Sequence, residues 1–428
     1  MNEGDLIQLL YNDKIVEGFV VKDSKDSLVL KLKNGYNIGI EKKNAKNIKI
    51  ISKSTKSEKP KFKEQKHNNN LKTIMILHCG GTIASKVDYR TGGVVSRFNP
   101  EEILDMFPEL NKIANIESEF IANMWSDDLR FEHFSLIAKS VEKQIKKGVD
   151  GIIIGMGTDN LAVASAAMSF ILEKIPIPVI FVGAQRSSDR GSSDAGMNLL
   201  CAAEFIAKTD FAGVALCMHS SSSDNSCFIL PACKTAKLHS SRRDAFKVVN
   251  DTAIAKVNYK SNQIEFIKKD YTKRNNEKVV IKPKLENKIG LLKIHINMSP
   301  EQFKFFKNYK GLIIEGTGLG HTPGHVPNPE AAINKKIFPA IKEVIDSGCI
   351  VVMTTQCLFG RVNMNVYDKG RDLINLGVIP GEDMLANTAF VKLAWLLGNY
   401  KKDEVKYMLN DNLRGEISER TKYEEEFI

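Results

Sequence analysis

Three apolar runs constrain this chain most: Thr73-Ile-Met-Ile-Leu, Gly151-Ile-Ile-Ile and Pro178-Val-Ile-Phe-Val. None alternates with polar residues, so each reads as a strand buried on both faces, the signature of a parallel sheet covered by helices. Helical period fills the intervals at residues 134–147, 161–174 and 195–208. Strand and helix in alternation predict a doubly wound α/β fold with a mostly parallel sheet. A polar, Lys/Asn-rich stretch at 268–278 interrupts the pattern, and Ile289-Gly-Leu-Leu-Lys-Ile restarts it. Gly311-Leu-Ile-Ile-Glu and Ile350-Val-Val-Met follow, with helices expected at 338–347 and 387–397. A second, smaller α/β domain is therefore expected.

The first fifty residues have a different rhythm. Asp5-Leu-Ile-Gln-Leu-Leu, Lys14-Ile-Val-Glu-Gly-Phe-Val-Val, Ser27-Leu-Val-Leu-Lys-Leu and Tyr36-Asn-Ile-Gly-Ile are short and alternating, with Asn34-Gly35 as a hairpin turn between the last two. About five strands in so short a segment predict a small N-terminal β-barrel. The expected organisation is a barrel at 1–51, a polar linker at 52–71 that lacks the material for a core, an α/β domain at 72–285 and a smaller one at 286–428.

With 43% hydrophobic and 26% charged residues in a chain of 428, composition is that of a globular protein and excludes a disordered or collagen-like chain. No apolar run approaches the roughly 18 residues that a spanning helix needs. Residues 1–10 carry two acids and no basic flank, so neither membrane nor leader is expected, and the expected location is cytoplasmic. Seven scattered cysteines without a CxxC pair read as reduced thiols, and no structural metal is expected. Of the net charge of +10, residues 1–72 hold +7, with 16 Lys against 9 Asp or Glu. Such a field suits RNA or another anionic partner, or is the solvated surface of a Lys-rich chain.

Chemistry in an open α/β sheet collects in the loops after the strands. Two such loops stand out, His78-Cys-Gly-Gly-Thr-Ile-Ala-Ser85 and Gly155-Met-Gly-Thr-Asp-Asn160, each presenting a hydroxyl after glycines. One glycine loop alone is usually a tight turn; two after neighbouring strands point to a ligand site. A hydroxyl needs a base to act as a nucleophile, and a Thr beside a Lys that an Asp holds supplies one. Thr158 and Asp159 provide two members, and Lys234 and Lys237 are the local candidates for the third.

Gly80-Gly-Thr-Ile-Ala84 paired with Gly157-Thr-Asp159 resembles the L-asparaginase type I/II family over residues 72 to about 400. The N-terminal barrel, Gly183-Ala-Gln-Arg-Ser-Ser-Asp-Arg190, Ser192-Ser-Asp-Ala-Gly-Met-Asn198 and Ser240-Ser-Arg-Arg-Asp-Ala-Phe246 resemble one branch of it, the archaeal glutamyl-tRNA(Gln) amidotransferase D subunits. The resemblance implies an asparaginase-like two-domain fold and an amidohydrolase of glutamine or asparagine. It implies Thr82 as nucleophile, Tyr89 as its hydrogen-bonding tyrosine, Thr158, Asp159 and Lys237 as the relay, and Ser126 and Asp127 as holders of the substrate's α-amino and α-carboxylate groups. The family's spacing to Phe246 selects Lys237, with Lys234 as the alternative. The same resemblance implies a homodimeric core, an amidotransferase partner (the E subunit) and Glu-tRNA(Gln) reached through the complex. No cofactor is expected in this chain, and ATP and Mg would be used by the partner.

Met156 and Asn160 stand where the family has His and Thr, and Asn387 where it often has Glu; altered packing is expected there. Gly316-Thr-Gly-Leu-Gly-His321 lacks the last glycine of the dinucleotide fingerprint and reads as a strand-end loop. His321 and His325 straddle Pro323-Gly324, which prevents the helix that would aim both at zinc. His219 and Ser220 to Ser223 line the amide pocket or form a polar strand-end loop. The alternatives to an amidotransferase subunit are a free-standing L-asparaginase and a catalytically weak scaffold that binds RNA or protein.

Overall fold

The computed structural model describes residues 1–2, 4–32, 37–53, 67–81, 85–87, 94–96, 106–186, 192–421 and 423, and only the backbone at 85–87 and 94–96. At the N-terminus, β1 (Leu6–Tyr11), β2 (Lys14–Asp23), β3 (Ser27–Leu32), β4 (Asn37–Glu41) and β5 (Ala45–Ser52) form an antiparallel sheet in the order β4-β3-β2-β1-β5. Alternation turns Ile7, Leu9, Val20, Leu28, Leu30 and Ile40 into its core. The β1–β2 turn is Asn12-Asp13, both left-handed at φ 49° and 57°, residue types that tolerate this region in a two-residue hairpin. The Asn34-Gly35 turn lies outside the described residues, as does most of the 52–71 linker.

The main sheet has eight strands: β6 (Thr73–Gly80), β7 (Asn115–Met124), β8 (Gly151–Gly155), β9 (Pro178–Val182), β10 (Gly213–His219), β11 (Ser226–Pro231), and, beyond the β12 (Thr235–Lys237) and β13 (Phe246–Val248) hairpin, β14 (Ala255–Asn258) and β15 (Ile264–Phe266). Their order is β15-β14-β11-β10-β9-β8-β6-β7. The run from β7 to β10 is parallel. The remaining pairs are antiparallel, so the sheet is more mixed than its first strands predict.

Helix α1 (Phe131–Lys146) buries Phe134, Ile137, Ala138 and Val141, an i, i+3, i+4, i+7 stripe. In α2 (Leu161–Ile171) almost every side chain is buried, because it lies between the sheet and the helix at Ala386–Asn399 in the second half. The expected helix at 161–174 stops at Ile171, since Leu172–Lys174 pairs as a strand with Val280–Ile281. Across the other face of the sheet lies α3 (Ala195–Lys208).

In the second half, β16 (Ile289–Lys293), β17 (Gly311–Gly316), β18 (Ile350–Thr355) and β19 (Ile379–Pro380) form a parallel sheet in chain order. Helices α4 (Ile337–Asp346) and α5 (Asp368–Leu376) cover one face, and α6 (Ala386–Asn399) covers the other. One apolar core runs through both halves, with Phe170 of α2 stacked on Trp395 of α6 at 5.7 Å between ring centroids. Among the described residues, no helix is long and apolar enough to cross a membrane.

Candidate active site

Chain direction explains where a crevice forms. β7 lies on one side of β6, and after α1 the chain returns to place β8 on the other side. Connections therefore diverge at the carboxyl ends of β6 and β8, the switch point where open α/β sheets bind ligands. Both glycine loops stand there. Gly81, at φ +80°, has no room for a side chain, since a Cβ would lie 2.1 Å from the Gly157 nitrogen. At Gly157 a Cβ would press within 2.9 Å of Ser126 Oγ. Glycine at these positions lets the loops after β6, β7 and β8 touch one another.

Lys237 ends β12, held in register by its pairing with Phe246, whose ring is buried. Its Nζ donates to Thr158 Oγ1 at 2.9 Å and to Asp159 Oδ1 at 2.9 Å. Thr158 is buried, the Lys237 amine is largely covered, and Asp159 stands out in the crevice with 70% of its side chain exposed. The three groups suit passing a proton between a hydroxyl and an amine beside a carboxylate.

Ser126 is buried at the start of the loop after β7, with Asp127 exposed beside it. Its hydroxyl accepts from the Asn160 backbone N–H at 3.3 Å, and its carbonyl accepts from Asn160 Nδ2 at 2.8 Å. Asn160 thus bolts the Gly157 loop to the Ser126 loop, a role that its residue type alone did not disclose. Met156 is buried in the core. Thr82 and Tyr89 lie outside the described residues.

Lys234 faces away from the crevice. It is buried, and its Nζ donates to Asp383 Oδ2 at 2.7 Å and to the Asp383 carbonyl at 3.3 Å. The other oxygen of Asp383 accepts from Ser418 N at 2.9 Å, so this carboxylate joins the turn before β12, the second half and the C-terminal segment. Sequence reasoning missed that junction; a second lysine three residues from Lys237 was its only signal.

His219 is buried, with Nδ1 2.6 Å from Asn198 Oδ1 and Nε2 3.1 Å from Asp224 Oδ1. Asp224 also accepts from Arg243 at 2.6 Å, tying the loop after β10 to the loop between Lys237 and Phe246. Asp194, fully buried, accepts the backbone N–H groups of Gln185 and Arg186 at 3.0 and 3.1 Å and so holds the first residues after β9. His325 pairs with Asp372 at 3.2 Å while His321 packs on Tyr367. At the tip of β6, His78 is buried with no hydrogen-bond partner among the described residues, and burial pushes its imidazole down to about 4. The same burial raises the Cys79 thiol to about 12. Among the described residues no three His, Cys, Asp or Glu side chains are grouped to hold a metal.

Family models match three stretches: "Asparaginase, N-terminal" over 73–272, "Glutaminase/Asparaginase C-terminal domain" over 288–408 and "GatD N-terminal domain" over 1–51. The chain is 45% identical over 401 residues to a Pyrococcus furiosus protein named as the D subunit of glutamyl-tRNA(Gln) amidotransferase, covering 93% of this chain and 89% of that one. A protein of the same name from Methanococcus maripaludis is 40% identical over 428 residues, covering 98% and 99%. Among solved structures, the thermostable L-asparaginase from Thermococcus kodakarensis is similar with a TM-score of 0.70 at 29% identity, covering 81% of this chain and 99% of its own. L-asparaginase I from Vibrio cholerae is similar at 0.69 and 27%, with the same coverage.

Proposed function

This chain belongs to the asparaginase family, in the branch of the glutamyl-tRNA(Gln) amidotransferase D subunits, and on that premise we propose that it is the component that releases ammonia from an amide. The substrate is glutamine, or asparagine, and the ammonia converts Glu-tRNA(Gln) to Gln-tRNA(Gln). The observation that carries this reading is Lys237 Nζ within 2.9 Å of both Thr158 Oγ1 and Asp159 Oδ1, at the switch point beside the Gly80–Gly81 loop.

In the proposed sequence, Thr82 Oγ attacks the side-chain amide carbon and Tyr89 hydrogen-bonds the attacking hydroxyl. The hydroxyl proton passes through the threonine–lysine relay to the leaving nitrogen, the C–N bond breaks and ammonia departs. Backbone N–H groups of the glycine loops steady the oxyanion. Water then gives a proton to the relay, attacks the acyl ester and restores Thr82, releasing glutamate or aspartate. Ser126 and Asp127 hold the α-amino and α-carboxylate groups, with Asp159 facing the ammonium.

We assign the ATP and Mg step to the partner, the amidotransferase E subunit, which receives the ammonia in the cytoplasm, and a homodimeric core to this chain. A free-standing L-asparaginase is the weaker reading, because the solved asparaginases leave about a fifth of the chain unmatched while the D-subunit relatives span it. The test is ammonia release from glutamine and from asparagine, with and without the partner and Glu-tRNA(Gln). Dependence on partner and tRNA is expected. Vigorous asparagine hydrolysis by the chain alone would favour the free-standing enzyme, and undiminished release by Thr82→Ala would remove the nucleophile.

A further inference from the structure

A subunit needs a surface for its partner that a lone enzyme does not, and the solved asparaginases leave about a fifth of this chain unmatched. Residues 1–51 match a family model of their own, and β5 at the end of that module is unlike an ordinary edge strand. It pairs with β1 alone among the described residues. Every residue after Ala45 is exposed. Three of these are isoleucines, Ile48, Ile50 and Ile51, at 38%, 46% and 52% exposure. Register shifts interrupt the β1–β5 ladder twice, and Ile51 falls at one of them, where Leu6 faces Ser52 and Ile7 faces Ile50. Such bulges guard an edge against simple strand addition and re-aim side chains outward. Around the isoleucines the charge has one sign: residues 42–57 contain six lysines and no Asp or Glu. Lys42 and Lys43 bond to Asp23 and Glu41, whereas Lys46 and Lys49 sit on the exposed strand itself.

We propose that the outer surface of β5 is the docking site for the partner subunit, whose complementary surface is an apolar groove rimmed by carboxylates. The proposal rests on the amidotransferase reading above. Branched aliphatic side chains have no face on which bases stack and no group to read them, so RNA leaves these isoleucines uncovered while a protein groove buries them. A second copy of the same strand would set lysine against lysine; an acidic rim turns the same charges into attraction.

Two full-length variants test this, Ile48→Ser/Ile50→Ser/Ile51→Ser and Lys46→Glu/Lys49→Glu, with retained thermal unfolding midpoints as the check on folding. Binding to the purified partner subunit is measured by titration calorimetry at low and high salt. Each variant is expected to weaken binding about tenfold or more, and the charge variant to lose most of the salt dependence. Ammonia release at saturating partner and Glu-tRNA(Gln) should reach the parent's rate, which reports on the amidase reading independently. Parent-like binding by both variants overturns the proposal. So does a charge variant that keeps partner binding and loses binding to a tRNA(Gln) transcript, which would give the surface to RNA.

Discussion

Two lysines three residues apart sit in two regions that use the same ion pair for different ends. At the crevice, Lys237 meets Asp159 at 2.9 Å with the carboxylate mostly in water. At the junction between the halves, Lys234 meets Asp383 at 2.7 Å with both side chains almost wholly excluded from it. In high dielectric the first pair adds little stability and leaves its groups available for proton transfer. The second has lost its hydration, so each charge depends on the other and on the backbone groups around it. Burial rather than distance separates a working pair from a fastening one.

The largest expected effect comes from breaking the junction. Lys234→Met strands the Asp383 carboxylate in the interior and should cost about 3–5 kcal/mol of stability by denaturant unfolding. Lys234→Met/Asp383→Leu should recover much of it; a double variant as unstable as the single would mean that the pair is not the source. At the crevice the pattern reverses. Lys237→Met should lower the rate of ammonia release by about 100- to 1,000-fold and shift stability by no more than about 1 kcal/mol. A variant that unfolds like Lys234→Met would erase the contrast between the two regions.

His78 sharpens the role of burial without any ion pair. Its imidazole is pushed down to about 4 in the folded chain by desolvation, against roughly 6.5 when unfolded. Between those values the unfolded chain binds more protons, so stability should be full above pH ~6.5 and fall as pH drops towards ~4, by about 3 kcal/mol. His78→Leu should flatten that limb of the pH–stability curve, and an unchanged limb would assign the acid sensitivity elsewhere. Smallest is Asn160→Ala, which removes the side-chain bond to the Ser126 carbonyl and should cost about 1 kcal/mol. Because it loosens two loops at the crevice, KM should rise more than kcat falls.

Strand runs around Ile76, Ile153 and Ile180 carried the α/β architecture in sequence because residues buried on both faces have no polar alternation. The glycine loops were legible for a similar reason, since close backbone approach leaves no room for a side chain at 81 and the Ser126 side chain crowds position 157. Local pattern misled at the end of α2, where Leu172–Lys174 looks helical and pairs instead with Val280–Ile281 more than a hundred residues away. The antiparallel far edge of the main sheet escaped notice for the same reason: pairing direction depends on a partner strand that local composition does not name.

By itself the sequence determined the alternation of strands and helices, the small β module ahead of them, the loops in which a hydroxyl follows glycine, and a positive charge concentrated towards the N-terminus. Only the tertiary structure decided which lysine faces Thr158 and which faces Asp383. It also decided that Asn160 ties two loops and that His78 is buried with no partner among the described residues. Periodicity records which side of a strand is buried. Which group a side chain meets depends on elements brought together from distant parts of the chain, and so does the water it loses in meeting it.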